Sequence, residues 1–314
     1  MARCLVTGAR GGIGSHLCER LVADGHEVFK LDLKVASYHD IRYRYNVSQS
    51  FQAIKPEWVF HLAALADIVP SIEDPGQYHQ TNVDGTFNVL ECARDYGVKR
   101  FIYAASSSCY GKNPPIPTDE TAPIDPAYPY ALTKWIGEQY VLHYAKVYGL
   151  PAISLRLTNV FGPGFRTTGA YGSVFGVFLS QLANNAPFTV VGDGYQKRDF
   201  TFVTDVCDAF VRAAYSDISG EIFNVGTGNP QSVNYLAELL KPRNVVYIPD
   251  RPGEPVETCA DTWNIEVRLG WTPKVKFEDG VRIMLDGIGE YKDAPLWTPE
   301  KIAEATKVWF EKLG

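Results

Sequence analysis

The chain has 314 residues, of which 46% are hydrophobic and 21% charged, and its formal net charge is -6 at pH 7. Its length suits one large α/β domain with a smaller companion. The acidic balance argues against a general basic surface for nucleic acid or anionic membranes. An anionic ligand must therefore be held by a few well-placed arginines.

The sequence shows no pattern typical of a signal peptide, a membrane span or a metal site. No apolar run approaches the roughly 20 residues that cross a bilayer, and a glycine-rich segment begins too early for a signal peptide to precede it. The six cysteines are scattered without CxxC spacing, which fits neither a disulfide framework nor a structural zinc site. We expect a cytoplasmic protein without a metal, binding neither nucleic acid nor membranes.

Short apolar segments alternate with segments of helical spacing in the first half of the chain. Predicted strands cover residues 3–6, 26–32, 58–62, 101–105 and 152–157, and predicted helices cover residues 15–24, 86–96 and 131–148. This alternation predicts an α/β fold of the Rossmann type, a doubly wound parallel sheet covered on both faces. Ligands bind such sheets beyond the carboxyl ends of the strands.

The second half is less regular. The pattern loosens over residues 161–172, and a helix over 174–184 and strands over 188–191 and 245–248 follow. We expect a Rossmann domain over 1–160 and a smaller substrate-binding lobe over 161–314, with part of the second half returning to the main sheet. Near the end, Thr298 and Pro299 are typical of a helix N-cap and first helical residue.

A glycine-rich segment joins the first predicted strand to the first predicted helix. Glycines 8, 11 and 14 let the backbone turn tightly and approach a pyrophosphate, whose charge the helix N-terminus stabilises. The residues of this segment predicted to contact a dinucleotide are Gly8, Arg10, Gly11, Gly12, Ile13 and Gly14.

Asp32 ends the second predicted strand, 18 residues after Gly14. A carboxylate there can accept both hydroxyls of the adenosine ribose and would repel a 2′-phosphate. Arg10 and Lys34 favour NADP instead, since either could lie near a 2′-phosphate. The balance favours NAD over NADP as the cofactor of the Rossmann domain.

Tyr130 and Lys134 form a YxxxK pair. Tyr130 immediately precedes the predicted helix over 131–148, and Lys134 lies in its first turn. Their spacing places the phenol and the ammonium on one helical face, about one turn apart. A nearby ammonium and a cationic nicotinamide would lower the phenol pKa, so that the phenolate takes a proton from a sugar hydroxyl as hydride leaves the same carbon. Ser106, at the end of the fourth predicted strand, can hydrogen-bond the same substrate oxygen.

Together these motifs resemble the extended short-chain dehydrogenase/reductase family, the NAD-dependent nucleotide-sugar epimerases and dehydratases, and are UDP-glucose 4-epimerase-like. The resemblance covers nearly the whole chain. The segments that carry it are residues 7–14, 61–64, 82–86, 106–111, 130–134, 155–164, 192–194, 198–200 and 223–226.

The resemblance implies the roles of further residues. Tyr130 and Ser106 would contact the reacting hydroxyl, and Lys134 would hold the nicotinamide ribose. Further cofactor contacts would come from Asn46, Val47, Leu62, Ala63 and Ala64, although relatives usually have Asp where this chain has Asn46. The substrate, a nucleotide-diphosphate sugar, would contact Ser107, Ser108, Asn159, Thr189, Arg198, Arg251 and Glu254. The helices over 86–96 and 131–148 would form a homodimer interface.

Ser108 narrows the choice of reaction. Dehydrating and decarboxylating relatives resemble one another in having a Glu at this position, because their chemistry needs a second acid or base beside the tyrosine. A serine cannot act as an acid near neutral pH, which argues against both branches. Relatives that epimerise and reduce a keto-sugar have a reactive Cys there. Cys109 comes one residue later, should face the other way, and is interpreted as a small buried hydrophobe.

Oxidation at C4 of the sugar remains. In a 4-epimerase the keto-sugar takes the hydride back on its other face, whereas in a 4-dehydrogenase, acting for example on a GDP-heptose or GDP-hexose, it leaves. We favour the epimerase, and a sensor that binds NAD without turnover is the remote alternative because Tyr130 and Lys134 are intact. The resemblance also places Thr258 where sugar size is gated, which predicts room for N-acetylated sugars.

Overall fold

A computed structural model describes residues 1–165 and 173–314, so most of the irregular stretch predicted over 161–172 lies outside the described residues. Its centre is a six-stranded sheet in which every neighbouring pair is parallel, in the order β10-β5-β4-β3-β1-β2. These strands are β1 Arg3–Thr7, β2 Glu27–Leu31, β3 Trp58–His61, β4 Arg100–Ser106, β5 Ala152–Leu157 and β10 Glu221–Val225. The predicted Rossmann-type α/β fold is confirmed.

Short strands outside this sheet build the second half. β7 pairs in parallel with β12, β6 with β9, and β8 pairs antiparallel with β11. Their bounds are β6 Asn159–Phe161, β7 Phe188–Val191, β8 Lys197–Arg198, β9 Phe200–Phe202, β11 Gln231–Ser232 and β12 Val245–Ile248. The two strands predicted over 188–191 and 245–248 are therefore partners of each other.

Helices cover both faces of the central sheet and surround the small strands. The α-helices are α1 Gly12–Ala23, α2 Arg44–Ile54, α3 Ile68–Glu73, α4 Pro75–His79, α5 Gly85–Asp95, α6 Pro129–Tyr148, α7 Val174–Ala183, α8 Val203–Tyr215, α9 Val233–Leu240, α10 Trp263–Leu269, α11 Phe277–Asp286, α12 Pro299–Ala305 and α13 Lys307–Leu313. A π-helical turn, Gln80–Asp84, precedes α5, and 3₁₀ turns cover Ser107–Tyr110 and Ile288–Tyr291. No helix in the described ranges is long and apolar enough to cross a bilayer.

β10, from the second half of the chain, pairs with β5 at the outer edge of the main sheet. α8 also packs across α1 and β4 from the second half. α8 was not predicted from the sequence, and ten of its residues, from Val203 to Ala214, are buried.

The carboxyl ends of the central strands bring the predicted site residues to one edge of the sheet. Gly8 follows β1, Leu62 follows β3, Ser106 ends β4 and Thr158 follows β5. Because parallel strands end at the same edge, segments far apart in sequence meet there. The small strands of the second half lie across this edge and complete the cavity described next.

Candidate active site

One cavity of about 670 Å³ joins the glycine-rich segment to the second half of the chain. Among the residues predicted to bind cofactor or substrate, those that line it are Gly8, Gly11, Gly12, Ile13, Gly14, Leu62, Ala64, Ser106, Ser107, Ser108, Tyr130, Lys134, Asn159, Thr189, Arg198, Arg251 and Glu254. Arg10, Asp32, Asn46, Val47 and Ala63 are outside its lining. The structure therefore brings most of the predicted set around one space.

The glycine-rich segment has the shape that a dinucleotide pyrophosphate requires. α1 begins at Gly12, three residues earlier than predicted, so Gly12 and Gly14 lie in its first turn. A Cβ at Gly14 would collide with the carbonyl oxygen of Gly8. Gly8 itself has a φ of +68° and approaches Ala63 so closely that a Cβ would lie 2.7 Å from its backbone nitrogen. Only glycines allow this tight turn, which leaves the N-terminus of α1 facing the cavity.

Asp32 lies beside the glycine-rich segment, although outside the cavity lining. Its carboxylate accepts hydrogen bonds from the backbone N–H groups of Arg10 at 2.9 Å and of Lys34 at 2.8 Å. These two bonds fix the carboxylate at the end of β2, next to the turn that would hold the pyrophosphate. The position fits the predicted contact with the adenosine ribose.

Asn46 and Val47 lie in the first turn of α2, away from the cavity lining. The Val47 side chain is buried in the core between the sheet and α5, and its N–H bonds the carbonyl oxygen of Tyr43 at 3.3 Å. Ala63 donates its N–H to the hydroxyl of Thr7 at 3.1 Å. Contacts of these three residues with a cofactor stay predictions from the resemblance.

The hydroxyls predicted to be catalytic lie close together. The Oγ atoms of Ser106 and Ser108 are 2.8 Å apart, the Ser106 hydroxyl lies near the Tyr130 phenol, and the Ser108 hydroxyl lies near the Tyr128 phenol. The rings of Tyr128 and Tyr130 are stacked at 6.4 Å. Ser106 can thus contact the same substrate oxygen as Tyr130.

The expectation of a lowered phenol pKa is not met in the protein by itself. Burial raises the pKa of Tyr130, and the nearby Ser106 hydroxyl opposes that shift. The physical reason is desolvation, because phenolate is costly in a site that excludes water.

Lys134 lies one helical turn beyond Tyr130 along α6. Burial lowers its pKa to about 7, with the negative charge of Glu138 acting in the opposite direction. Its Nζ lies 4.2 Å from the ring centre of Tyr103, a cation–π arrangement that favours the charged form. The Lys134 ammonium therefore has a pKa near neutral pH and lies in the lining of the cavity.

A buried ion pair anchors α6 to the sheet beneath these residues. Glu138, one turn after Lys134, accepts hydrogen bonds from the Arg156 guanidinium at 2.7 and 3.0 Å and from the Ser154 hydroxyl at 2.9 Å. Arg156 also donates to the Tyr110 hydroxyl at 2.8 Å. Because both charges are almost fully buried, loss of either would leave the other unpaired. Sequence analysis did not single out Glu138, although it continues the spacing of Tyr130 and Lys134.

Two guanidiniums share one carboxylate on the opposite wall. Glu254 accepts a hydrogen bond from Arg198 at 3.2 Å and from Arg251 at 2.8 Å. Two positive charges against one negative charge leave a net positive wall, which suits an anionic diphosphate. The predicted pair of arginines is therefore brought together although 53 residues separate them in sequence.

Asp199 fixes the segment that carries Arg198. Its buried carboxylate accepts the backbone N–H groups of Thr227 at 2.7 Å, Gly228 at 3.1 Å and Ala260 at 3.0 Å. These bonds tie β8 and β9 to the loop after β10 and to the segment near Thr258. Asp199 therefore has a structural role, which is to anchor the backbone next to Arg198.

The remaining predicted substrate contacts are held by local bonds. The hydroxyl of Thr189 accepts a hydrogen bond from the Gln181 amide at 2.8 Å. The Thr258 hydroxyl accepts the Asp199 N–H at 3.2 Å and donates to the Asn159 amide oxygen at 3.5 Å, and Thr258 lines the cavity. Asn159 and Thr258 thus lie on one side of the cavity.

Cys109 does not face this cavity. It is 2% exposed and packs with Tyr110 and Ala122, and burial raises the pKa of its thiol to about 12. A reactive cysteine needs a lowered pKa and access to the reacting atoms. The interpretation of Cys109 as a small buried hydrophobe is confirmed.

Asp67, Tyr128 and Trp309 are among the cavity residues that were not predicted from the sequence. Asp67 precedes α3, Tyr128 precedes α6, and Trp309 lies in α13 near the C-terminus. Trp309 donates its indole N–H to the Pro252 carbonyl at 2.7 Å and lies under the Arg251 guanidinium at 5.5 Å. The predicted helix start at Thr298 is confirmed by its bond from the Lys301 N–H, but the segment ends in two helices that meet at Thr306. No periodicity indicates that the second of them reaches the cavity.

Comparisons with known proteins agree with this geometry. Residues 4–226 match the model of the NAD dependent epimerase/dehydratase family. UDP-glucose 4-epimerase of Mycolicibacterium smegmatis is 36% identical over 301 residues, which is 89% of this chain and 96% of that protein.

Solved structures show the same similarity. The structure of Thermotoga maritima UDP-glucose 4-epimerase with UDP-glucose has a TM-score of 0.84 at 33% identity, and covers 90% of this chain and 97% of its own. That of Thermus thermophilus UDP-glucose 4-epimerase in complex with NAD has a TM-score of 0.83 at 34% identity, over 91% and 98%. The chain therefore belongs to the NAD dependent epimerase/dehydratase family and is an enzyme whose cofactor is NAD.

Proposed function

We propose that this enzyme is a 4-epimerase of UDP-sugars, which removes hydride from C4 of the sugar and returns it to the opposite face. One observation carries the proposal: a single cavity joins Ser106, Tyr130 and Lys134 to the arginines that share Glu254, and residues 106–108 hold no carboxylate beside the tyrosine. The similarity to UDP-glucose 4-epimerases supports uridine as the nucleoside.

The residues divide the work between binding and proton transfer. Arg198 and Arg251 bind the diphosphate, so that the sugar reaches toward Tyr130. Bound NAD supplies the acceptor and the donor of hydride. As C4 loses hydride, the Tyr130 phenolate takes the proton of the C4 hydroxyl, and Ser106 holds the C4 oxygen by a hydrogen bond.

The reverse transfer completes the reaction. After the keto-sugar has turned over in the cavity, Tyr130 returns its proton to the C4 oxygen while C4 regains hydride on its other face. Lys134 keeps a positive charge near the phenolate in both directions. Proton, hydride and cofactor are restored at the end of each turnover.

Proton NMR of the purified protein with a panel of nucleotide-sugars, without added cofactor, tests the proposal. We expect a new anomeric signal that grows over many turnovers, with no lasting absorbance at 340 nm. A single stoichiometric rise at 340 nm, cleared only by an added oxidant, would instead identify a 4-dehydrogenase. No conversion and no absorbance change with any nucleotide-sugar would contradict both activities and leave a sensor.

We further propose that N-acetylated sugars are accepted, because Thr258 is a small side chain on the cavity wall. Replacing it with tyrosine would add a ring beside Asn159, the partner of its hydroxyl. We expect Thr258→Tyr to lower turnover of UDP-N-acetylglucosamine more than that of UDP-glucose. An unchanged ratio of the two rates would exclude this gating role.

We also propose a homodimer through α5 and α6. These helices and their ends expose Tyr96, Leu132, Tyr140, Val147 and Tyr148, each at least 38% exposed. Trp135 and Tyr144, by contrast, pack within the chain. Such an apolar face on two adjacent helices suits a second copy of the same face. Sedimentation equilibrium should give a dimer that Tyr140→Glu weakens, and a monomeric parent would refute the interface.

A further inference from the structure

Asp67 places a carboxylate in the cavity where sequence analysis expected none. It is the N-cap residue of α3, yet its side chain makes no capping hydrogen bond. Its backbone N–H donates to the Tyr78 hydroxyl at 3.2 Å, which fixes the residue at the cavity wall. An Asp at this position ordinarily caps the helix, and here the carboxylate does not.

The surroundings locate this carboxylate between the two ends of the substrate site. α3 packs against α6, which carries Tyr130, and against α13, which carries Trp309 beside Arg251. The charge of Asp67 is near enough to raise the pKa of Tyr130. If the diphosphate lies at Arg251 and the reacting carbon at Tyr130, Asp67 borders the sugar.

Asp67 also differs from the other carboxylate of the cavity wall. Glu254 is shared by Arg198 and Arg251, whereas within residues 1–165 and 173–314 no cation pairs with Asp67 and no group donates a hydrogen bond to its carboxylate. Asp67 is exposed to solvent at the cavity wall, and partial desolvation by the protein around its carboxylate raises its pKa. An unpaired carboxylate in a cavity can accept hydrogen bonds from a ligand, and it repels a second negative charge.

We propose that Asp67 is a specificity-determining residue that accepts a hydroxyl of a neutral sugar and excludes sugars bearing a carboxylate. The inference rests on the proposed function, since it requires the sugar to lie between Tyr130 and the arginine pair. It deepens that function by naming the substrate class as neutral UDP-sugars, with UDP-uronates rejected by charge.

Isothermal titration of the NAD-loaded protein with UDP, UDP-glucose and UDP-glucuronate tests the inference, because the two sugars differ only at C6. We expect the parent to bind UDP-glucuronate about tenfold or more weakly than UDP-glucose. Asp67→Asn keeps the shape and removes the charge, so it should reduce this ratio at least about threefold and leave UDP binding unchanged. Glu73→Gln removes a charge from the exposed end of the same helix and should keep the parent's ratio.

The outcomes separate the inference from the proposed function. A parent that binds both UDP-sugars equally, or an Asp67→Asn variant whose ratio equals the parent's, would overturn the role of Asp67 while UDP-sugar binding stands. An equal change in Glu73→Gln would assign the effect to long-range charge and overturn the inference as well. A parent that binds none of the three ligands would refute the proposed function itself.

Discussion

The two walls of the cavity are built by different means. On the cofactor side, the turn between β1 and α1 uses backbone N–H groups and glycines whose missing side chains let the chain approach closely. On the substrate side, Arg198, Arg251 and Glu254 come from separate short segments and hold one another by ion pairs. The first wall is a local property of seven residues, and the second exists only when the whole lobe is folded.

This difference predicts which ligand each wall controls. A cofactor bound through backbone geometry should be sensitive to added side-chain volume, because a strained turn cannot relax. A diphosphate bound through side-chain charge should be sensitive to loss of a guanidinium or of whatever orients it. Substitutions on one wall should therefore spare binding at the other.

Tyr130→Phe should have the largest effect, since both walls stay intact while the proton acceptor is lost. We expect turnover to fall about a hundred- to ten-thousandfold, with NAD content and the Kd for UDP unchanged. Rates by NMR, with binding by titration, measure this. Activity close to the parent's would contradict the assignment of Tyr130 as the catalytic acid and base.

Gly14→Ala should abolish retention of NAD, because the added Cβ collides with the Gly8 carbonyl oxygen and only backbone could move away. We expect the Kd for NAD to rise at least about a hundredfold, equivalent to about 2.7 kcal/mol. Gly289→Ala is the matched control, since a Cβ there meets no atom within 4 Å. Weaker UDP binding in Gly14→Ala would show that the two walls are coupled.

Lys134→Met should make the cofactor-free protein more stable while removing activity. Burial lowers the folded-state pKa of Lys134 to about 7, below the value near 10.4 of an unfolded chain. The unfolded state therefore binds more protons between these values, so the parent's stability rises with pH over that window. We expect a gain of about 1–3 kcal/mol for the variant at pH 6.

Urea unfolding at several pH values measures this gain, which should shrink as the pH rises from 7 toward 10. A variant that is less stable than the parent at pH 6 would mean that the contact between Lys134 and the Tyr103 ring outweighs the desolvation of the ammonium.

Trp309→Ala should have the smallest effect and affect only the substrate wall. It removes the ring beneath the Arg251 guanidinium and the bond to the Pro252 carbonyl. We expect the Kd for UDP to rise about threefold to tenfold, with NAD binding unchanged. Phe310→Ala, at an exposed position of the same helix, is the control. If both variants weaken UDP binding equally, the helix acts through stability and not through Arg251.

Local patterns were sufficient for the parts of the site that lie next to strand ends. The glycine-rich turn, Asp32, Ser106 and the Tyr130–Lys134 pair follow from periodicity and spacing, and the resemblance supplied Arg198, Arg251 and Glu254. Asp67, Tyr128 and Trp309 could not be predicted in this way, because nothing in their neighbouring residues indicates a ligand. Their role depends on α3, α6 and α13 meeting at one cavity.

The parallel sheet, the glycine-rich turn and the Tyr130–Lys134 pair can be read from the sequence, because each depends on a few consecutive residues and a fixed period. The distribution of charge around the cavity follows from the tertiary structure alone. Long-range packing pairs Glu254 with two arginines and leaves the Asp67 carboxylate without a cation in the described part of the chain. Electrostatic balance is a sum over neighbours in space, and the order of residues along a chain does not state which neighbours those are.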